Sequence, residues 1–371
     1  MLMLKNARII TCEEKDYDCG YIIIDGKKIK EIGDMKNAPD FNGEVFDLEG
    51  KTVVPGFIDA HSHIGLCGDG GTAGNVDLNE KTEDITPQLR AIDGVNPLDG
   101  YFREALMGGV LTVCTGPGSA NPIGGTFVAM KTFGKRIDDM VVKENAAMKL
   151  AFGENPKRLH GSIDTRMKTA SLIREAFYKA KEYTGKPFDI KLDALKKVLD
   201  GEIPVKAHAH RTDDIFTALR IAKEFGFEIS IEHCTEGHLI ADELKNENAV
   251  YCIGPLLGDR SKQELKNKTF DTLVEFEKEG IDFAIITDHP EDVQSNLLLL
   301  AQVAAKNGIS KDTALRAITV NAAKNLKIED RTGSLKKGKD ADILVFDGHP
   351  VNFESKLLKI FVNGEEIKKE A

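Results

Sequence analysis

The sequence lacks three features that mark common classes of protein. No apolar run approaches the length of a membrane span, the six cysteines include no CxxC pair, and 60 acidic residues outnumber 50 basic ones. A membrane helix needs about 20 apolar residues, and binding a nucleic-acid backbone needs an excess of Lys and Arg. We therefore expect no membrane partner and no nucleic-acid partner, but a small-molecule substrate.

The scattered cysteines also bear on the cellular compartment. They form no disulfide framework, so reduced thiols are the simplest interpretation. The first ten residues, MLMLKNARII, are apolar, but Lys5 and Arg8 interrupt them and no small-residue cleavage site follows. We interpret them as a strand and not as a signal peptide, and we expect a cytoplasmic protein.

The middle of the chain alternates strand patterns with helical ones. The run IPVKAHAH is followed by DDIFTALRIAKEFG, in which Ile215, Leu219 and Ala222 share one helical face and Gly226 ends the helix. The runs FEISIEHC and DFAIITDHP repeat the strand pattern. Strands separated by helices predict parallel pairing. The repeated units predict an α/β fold with a TIM-like (β/α)8 barrel over residues 53–327.

Both ends of the chain have a different pattern. Residues 1–52 contain short strands and a hairpin signal at Asp25-Gly26. Residues 328–371 contain the strand ADILVF and a second hairpin signal at Asn363-Gly364. The two β-rich ends are predicted to meet as one small second domain.

Histidines and one aspartate stand where the apolar strands end. His61 and His63 are alternate residues after VVPGFIDA, so their side chains share one face. Later strands end in the same way, with His208, His210, His233, Asp288 and His289. Each alone has an ordinary explanation, such as a solvated strand face, a core histidine or a turn. Together they predict a metal centre at the rim of the barrel, because zinc-type sites need converging nitrogen and oxygen ligands.

These motifs, in this order, resemble the amidohydrolase superfamily. VPGFIDAHSH, KAHAH, IEHC and ITDHP match most closely its imidazolonepropionase-like branch of metal-dependent hydrolases. TVNAAKNL and GSLKKGKDADILVFDG resemble the family's return from the barrel to a β-sandwich. The resemblance covers nearly the whole chain and implies that both termini form a small β-sandwich domain.

The resemblance also implies roles for single residues. His61 and His63 match the family's first-strand metal pair, and Asp288 matches the eighth-strand aspartate that binds metal and moves protons. His208 and His233 match the ligands on strands five and six. One or two divalent metal ions are implied, with zinc as the first expectation and manganese or iron as alternatives.

One ligand departs from the family pattern. Many members use a carboxylated lysine at the end of strand four, and no lysine is obvious in that place here. Glu154, which ends MKLAFGE, is the expected substitute, because a carboxylate can bridge two cations. A plain helix or turn carboxylate before Asn155-Pro156 is an equal alternative.

Substrate contacts are less well specified. His210 is expected to face the metal centre and to act in catalysis or substrate binding, with support of a ligand as the alternative. Asn121 lies in the loop TGPGSANPIGG, whose glycines would let a substrate approach the backbone closely. Arg260 in LLGDRSK could bind an anionic group or remain a solvated surface charge.

The implied activity is hydrolysis of an amide-type C–N bond in a cyclic amide, an N-acyl amino acid or a small dipeptide, with Asp288 as proton shuttle. The alternative is a metal-dependent deaminase of a heterocycle. Deaminases of the superfamily commonly need a glutamate near the fifth-strand histidine, and AHAHRTDD contains none. A non-catalytic scaffold is a third interpretation, which the five intact ligand positions disfavour. A homo-oligomer is left open.

Overall fold

The computed structural model describes residues 1–68 and 76–368. Within those ranges the main elements are two eight-stranded sheets and the helices that surround them. The strands are β1 (Leu2–Ile9), β2 (Tyr17–Asp25), β3 (Lys28–Asp34), β4 (Glu44–Asp47), β5 (Thr52–Pro55), β6 (Phe57–Ser62), β7 (Val110–Thr115), β8 (Ile123–Lys131), β9 (Val141–Ala151), β10 (Val205–Ala209), β11 (Ile229–His233), β12 (Ala249–Ile253), β13 (Phe283–Ile285), β14 (Ile343–Phe346), β15 (Leu357–Val362) and β16 (Glu365–Glu366).

The helices lie mostly between the later strands. They are α1 (Gly100–Met107), α2 (Ile137–Met140), α3 (Glu154–Leu159), α4 (Arg166–Glu182), α5 (Ile190–Leu199), α6 (Thr212–Phe225), α7 (Ala241–Leu244), α8 (Asp271–Glu279), α9 (Leu297–Lys306), α10 (Lys311–Ala317) and α11 (Val320–Leu326). Across the described ranges, none of these is long and apolar enough to cross a membrane. The helix predicted after IPVKAHAH is α6, which buries Ile215, Leu219 and Ala222 and ends at Gly226 with a φ of 76°.

The first sheet joins the two ends of the chain. Its order is β16-β15-β14-β5-β1-β2-β3, with β4 beside the first half of β1. Strand β5 makes the junction, because it pairs parallel with β1 and antiparallel with β14. The predicted meeting of the termini is therefore confirmed. The hydrogen bonds define one sheet, and the second layer of the predicted sandwich remains a prediction. The last three residues of the predicted range 328–371 lie outside the described residues.

The second sheet is a nearly closed barrel in the order β6 to β13. All neighbouring strands run parallel except β8, which is antiparallel to both β7 and β9. The predicted TIM-like barrel is therefore confirmed in its eight strands, but the prediction of parallel pairing is wrong for β8. The connections on either side of β8 are short, and the second contains only the four-residue helix α2, whereas a parallel crossover needs a dozen or more residues.

The barrel closes where its first and last strands meet. The amide of Asp288 donates to the carbonyl of His61 (3.2 Å), and the amide of His63 donates to the carbonyl of His289 (3.0 Å). Below them the buried carboxylate of Asp59 accepts hydrogen bonds from the hydroxyl of Thr287 and from the side chain of Gln294. Closure therefore brings His61, His63 and Asp288 together although they are far apart in sequence.

Candidate metal centre

The strand ends of the barrel deliver five predicted ligands to one buried place. His61 is the penultimate residue of β6, His63 follows that strand, His208 lies in β10, His233 ends β11, and Asp288 follows β13. One atom each of His61, His233 and Asp288 lie within 4.8 Å of one another, and the same holds for His208, His210 and His233. His233 belongs to both groups. The geometry therefore offers two adjacent ligand sets.

Asp288 is the carboxylate at the centre of the first set. Its Oδ1 lies 3.4 Å from Nε2 of His61 and 3.1 Å from Nε2 of His63, and its Oδ2 lies 3.9 Å from Nδ1 of His233. Asp288 and His233 adopt left-handed backbone conformations, with φ of 52° and 73°. Such conformations store strain in residues other than glycine and occur preferentially at functional sites.

Two backbone carbonyls fix the direction in which the histidine rings bind. Nδ1 of His63 donates to the carbonyl of Gly116, and Nδ1 of His233 donates to the carbonyl of Gly254, each over 2.7 Å. A carbonyl oxygen can only accept, so the proton is on Nδ1 and the lone pair is on Nε2. Glycine is required at both places, since a Cβ would collide with Phe127 at residue 116 and with the backbone of Ile286 at residue 254.

His61 is oriented by a carboxylate. Its Nδ1 lies 2.8 Å from Oε2 of Glu232, and Oε1 of the same carboxylate lies 3.1 Å from Nζ of Lys206. All three side chains are buried. The charge of Lys206 balances that of Glu232, and a carboxylate behind a ligating imidazole holds its Nε2 towards the metal.

The residues fit a bound cation. Nε2 of His208, His210 and His233 and Oδ1 of Asp288 are buried and have no hydrogen-bond partner among the described residues. Burial lowers the pKa of His63, lowers that of His233 to about 4, and lowers those of His208 and His210 well below the usual range. Neutral rings therefore present lone pairs to a carboxylate, an arrangement that is repulsive until a cation lies between them.

Comparison with known proteins agrees with this geometry. The model of the Amidohydrolase family matches residues 52–368. The chain belongs to the amidohydrolase family. A crystal structure of an amidohydrolase from Thermotoga maritima MSB8 superposes with a TM-score of 0.94 at 39% identity, and the match covers 100% of both chains.

Curated relatives are more distant. The amidohydrolase tasK of Hapsidospora irregularis is 28% identical over 369 residues, which is 86% of this chain but 37% of that protein. An imidazolonepropionase of Picrophilus torridus is 24% identical, with 93% of this chain and 92% of that protein matched. The chain thus spans little more than a third of the first of these relatives and nearly all of the second.

The structure places Lys149, and not Glu154, beside the ligands of this amidohydrolase. Lys149 lies in β9, the fourth strand of the barrel, and its buried Nζ is 3.4 Å from Nε2 of His61. This lysine was not obvious in the sequence, because Lys149 lies within the apolar strand and not at its visible end. Glu154 instead begins α3, its amide donates to Glu264, and its carboxylate belongs to neither ligand set among the described residues.

The predicted substrate residues have different surroundings. His210 joins the second ligand set, and its Nδ1 lies 2.7 Å from the hydroxyl of Thr235. Asn121 is buried, and its amide is engaged with His160 and Thr86. The exposed Arg260 donates to the carbonyl of Lys268. The structure thus brings His210, but neither Asn121 nor Arg260, into the cluster.

Three buried charged residues of the site were missed, namely Lys149, Lys206 and Glu232. Each interrupts an otherwise apolar strand, in AAMKLAFG, IPVKAHAH and ISIEHC. A charged residue inside such a strand has to find a partner within the barrel. This signal could have identified all three.

Proposed function

We propose that this amidohydrolase cleaves an amide-type C–N bond in a cyclic amide, an N-acyl amino acid or a small dipeptide. The reaction would use one or two divalent metal ions, and zinc is the metal that we expect first. The observation that carries the proposal is the convergence of unprotonated imidazole nitrogens on the carboxylate of Asp288. Such an oxygen and nitrogen donor set is the kind that zinc prefers.

Residues 1–52 and 328–371 are proposed as the second domain, beside the barrel domain of residues 53–327.

The ligands divide between two positions. We assign His61, His63 and Asp288 to the first ion and His208 and His233 to the second. Lys149 is proposed as the bridging residue in place of Glu154, because the amine of Lys149 lies beside the first ligand set and the carboxylate of Glu154 does not. Divalent ions at such a site lower the pKa of water to about 7 and polarise a substrate carbonyl.

Asp288 is the proposed proton carrier. Its carboxylate is partly open to solvent, with 13% of its side chain exposed, whereas the imidazoles around it are almost fully buried. From this place it can accept a proton from the attacking water and deliver it to the leaving nitrogen. The hydrogen bonds from His63 and His233 to backbone carbonyls keep these two rings in place while the proton moves.

The experiment is a hydrolysis assay of the three substrate classes with wild type and with Asp288→Asn. Wild type is expected to release product from at least one class, to lose this activity on chelation and to regain it with zinc. Loss of the proton carrier should lower kcat by about 10²–10⁴-fold. Elemental analysis should show that part of the metal is retained.

Asp259→Asn is the matched control, since Asp259 is an exposed carboxylate. It should retain full activity. An Asp288→Asn variant with near-normal kcat would contradict the proposed function, and so would wild-type hydrolysis that continues after chelation.

A second candidate is favoured by one observation. Oε1 of Glu264 lies 3.8 Å from Nε2 of His208 and 3.7 Å from Nε2 of His210. This supplies, from another segment, the glutamate near the fifth-strand histidine whose absence from AHAHRTDD disfavours a deaminase. Release of ammonia from heterocycles without cleavage of any amide in the panel would place the deaminase first.

A further inference from the structure

Glu264 is a buried carboxylate held in place by the backbone. It lies in the 3-10 turn Gln263–Leu265 after β12, and its side chain is fully buried. The amide of Glu154 donates to its Oε2 over 2.9 Å. This hydrogen bond turns Oε1 towards His208 and His210, at 3.8 and 3.7 Å from their Nε2 atoms.

The imidazole nitrogens that face Glu264 here lack hydrogen-bond partners. Nε2 of His208, His210 and His233 are buried and make no hydrogen bond among the described residues, and Oε1 of Glu264 lies opposite those of His208 and His210. Leaving a buried polar atom unsatisfied destabilises a fold. Three such nitrogens beside one carboxylate indicate that the place is built for a group that the four atoms bind in common.

We propose that His210 and Glu264 join His208 and His233 as ligands of the second metal ion, which gives it three imidazoles and one carboxylate in addition to the proposed bridge from Lys149. The proposal rests on the metal-dependent function given above and extends its ligand set. Two neighbouring zinc ligands at about 2.0–2.2 Å from the ion, separated by roughly the tetrahedral angle, lie roughly 3.3–3.6 Å from each other. The distances of 3.7 and 3.8 Å are close to that spacing.

The ammonium of Lys262 provides the positive charge beside Glu264 in this structure. Its Nζ lies 2.7 Å from Oε1 of Glu264, and the oxygen of Asn155 offers a second acceptor at 3.3 Å. Because its side chain is 11% exposed, the ammonium can withdraw towards Asn155 and solvent when a divalent ion binds. Lys262 and the ion therefore compete for the same carboxylate oxygen.

Zinc titration of the metal-free full-length protein tests the assignment. In His210→Asn and in Glu264→Gln, the weaker of two zinc ions should lose more than about 100-fold in affinity, beyond the 10–100-fold that the loss of an outer hydrogen bond costs. The visible spectrum of the cobalt-loaded protein should change in both variants, because the ligand set of one ion changes. Lys262→Met should bind zinc at least as tightly as wild type.

His160→Asn and Glu236→Gln are the matched controls, since both residues are buried and belong to neither ligand set. They should leave both zinc affinities and the cobalt spectrum unchanged. If His210→Asn and Glu264→Gln also leave the cobalt spectrum unchanged, His210 and Glu264 are not ligands. Such a result with a zinc-binding wild type overturns this assignment alone, whereas a wild type that binds no metal overturns the proposed function itself.

Crystals of the zinc-loaded wild type give a test that does not depend on a variant folding. Anomalous scattering should show a zinc ion within about 2.0–2.2 Å of Nε2 of His210 and of Oε1 of Glu264. Zinc that contacts only His208 and His233, with Glu264 still paired to Lys262, would overturn the assignment. A bound Glu264 could not serve as the proton donor of a deaminase, so the same map separates the two candidate functions.

Discussion

Lys149 is the residue of the metal centre whose chemistry depends most on its surroundings. Burial lowers the pKa of its ammonium to about 8, so that part of it is neutral near pH 7. The neutral amine can attack carbon dioxide and release a proton, which leaves an N-carboxylate whose two oxygens would be able to hold divalent ions. We therefore expect Lys149 to take the bridging role that the sequence assigned to Glu154.

We predict that Lys149→Met lowers the metal content of the protein and abolishes a carbon-13 signal that wild type acquires from labelled bicarbonate. Lys143→Met is the control, because Lys143 lies on the same strand but donates to the carbonyl of Leu326 outside the cluster. Full metal content in Lys149→Met, or a labelled signal that persists in it, would contradict the bridging role.

The sequence analysis predicted the ligands that stand near strand ends but missed Lys149, which lies within a strand. His61, His63, His208, His233 and Asp288 each follow an apolar run, where the geometry of parallel strands gathers side chains at one rim. Glu264 could not be found in this way. It lies in an irregular segment, and only the fold shows that a turn after β12 returns its carboxylate to β10.

At the scale of elements, β10 and β11 are joined by a buried ion pair. Lys206 on β10 lies 3.1 Å from Glu232 on β11, and it also donates to Oδ1 of Asn325 on α11. Breaking one partner of a buried pair leaves an uncompensated charge, which costs about 3–5 kcal/mol. The pair thus connects barrel stability with the orientation of His61.

We predict that Glu232→Gln lowers the free energy of unfolding in chelator by about 3–5 kcal/mol, and that adding Lys206→Met recovers part of this loss. Urea denaturation of both variants gives the values. Asp200→Asn, which breaks the exposed pair with Lys196, should change stability by less than about 0.5 kcal/mol. A Glu232→Gln variant as stable as wild type would show that the pair is not required.

The direction of β8 was the part of the fold that strand patterns could not supply. Apolar runs predict that a strand exists, but the pattern of a fully buried strand does not show whether it runs parallel or antiparallel to its neighbours. The short connections to β7 and β9 carry the missing information, because they leave no room for a crossover. Connection length, more than strand composition, decides this part of the barrel.

At the scale of the whole molecule, one buried cluster ties the barrel to the terminal sheet. Lys131 at the end of β8 pairs with Asp340 and Asp342, just before β14, and Lys28 and Arg331 also pair with Asp340. This explains why the segment GSLKKGKDADILVFDG was a useful marker of the fold. Its aspartates anchor the chain where it returns to the sheet formed by both termini.

The metal centre depends on the whole molecule, since its ligands come from separate strands and meet only when the barrel closes. The most direct test is therefore the metal content of wild-type protein purified without chelators, measured by elemental analysis. The two adjacent ligand sets predict close to two divalent ions per chain. A chain that holds no metal, even after zinc or manganese is added back, would contradict the central claim.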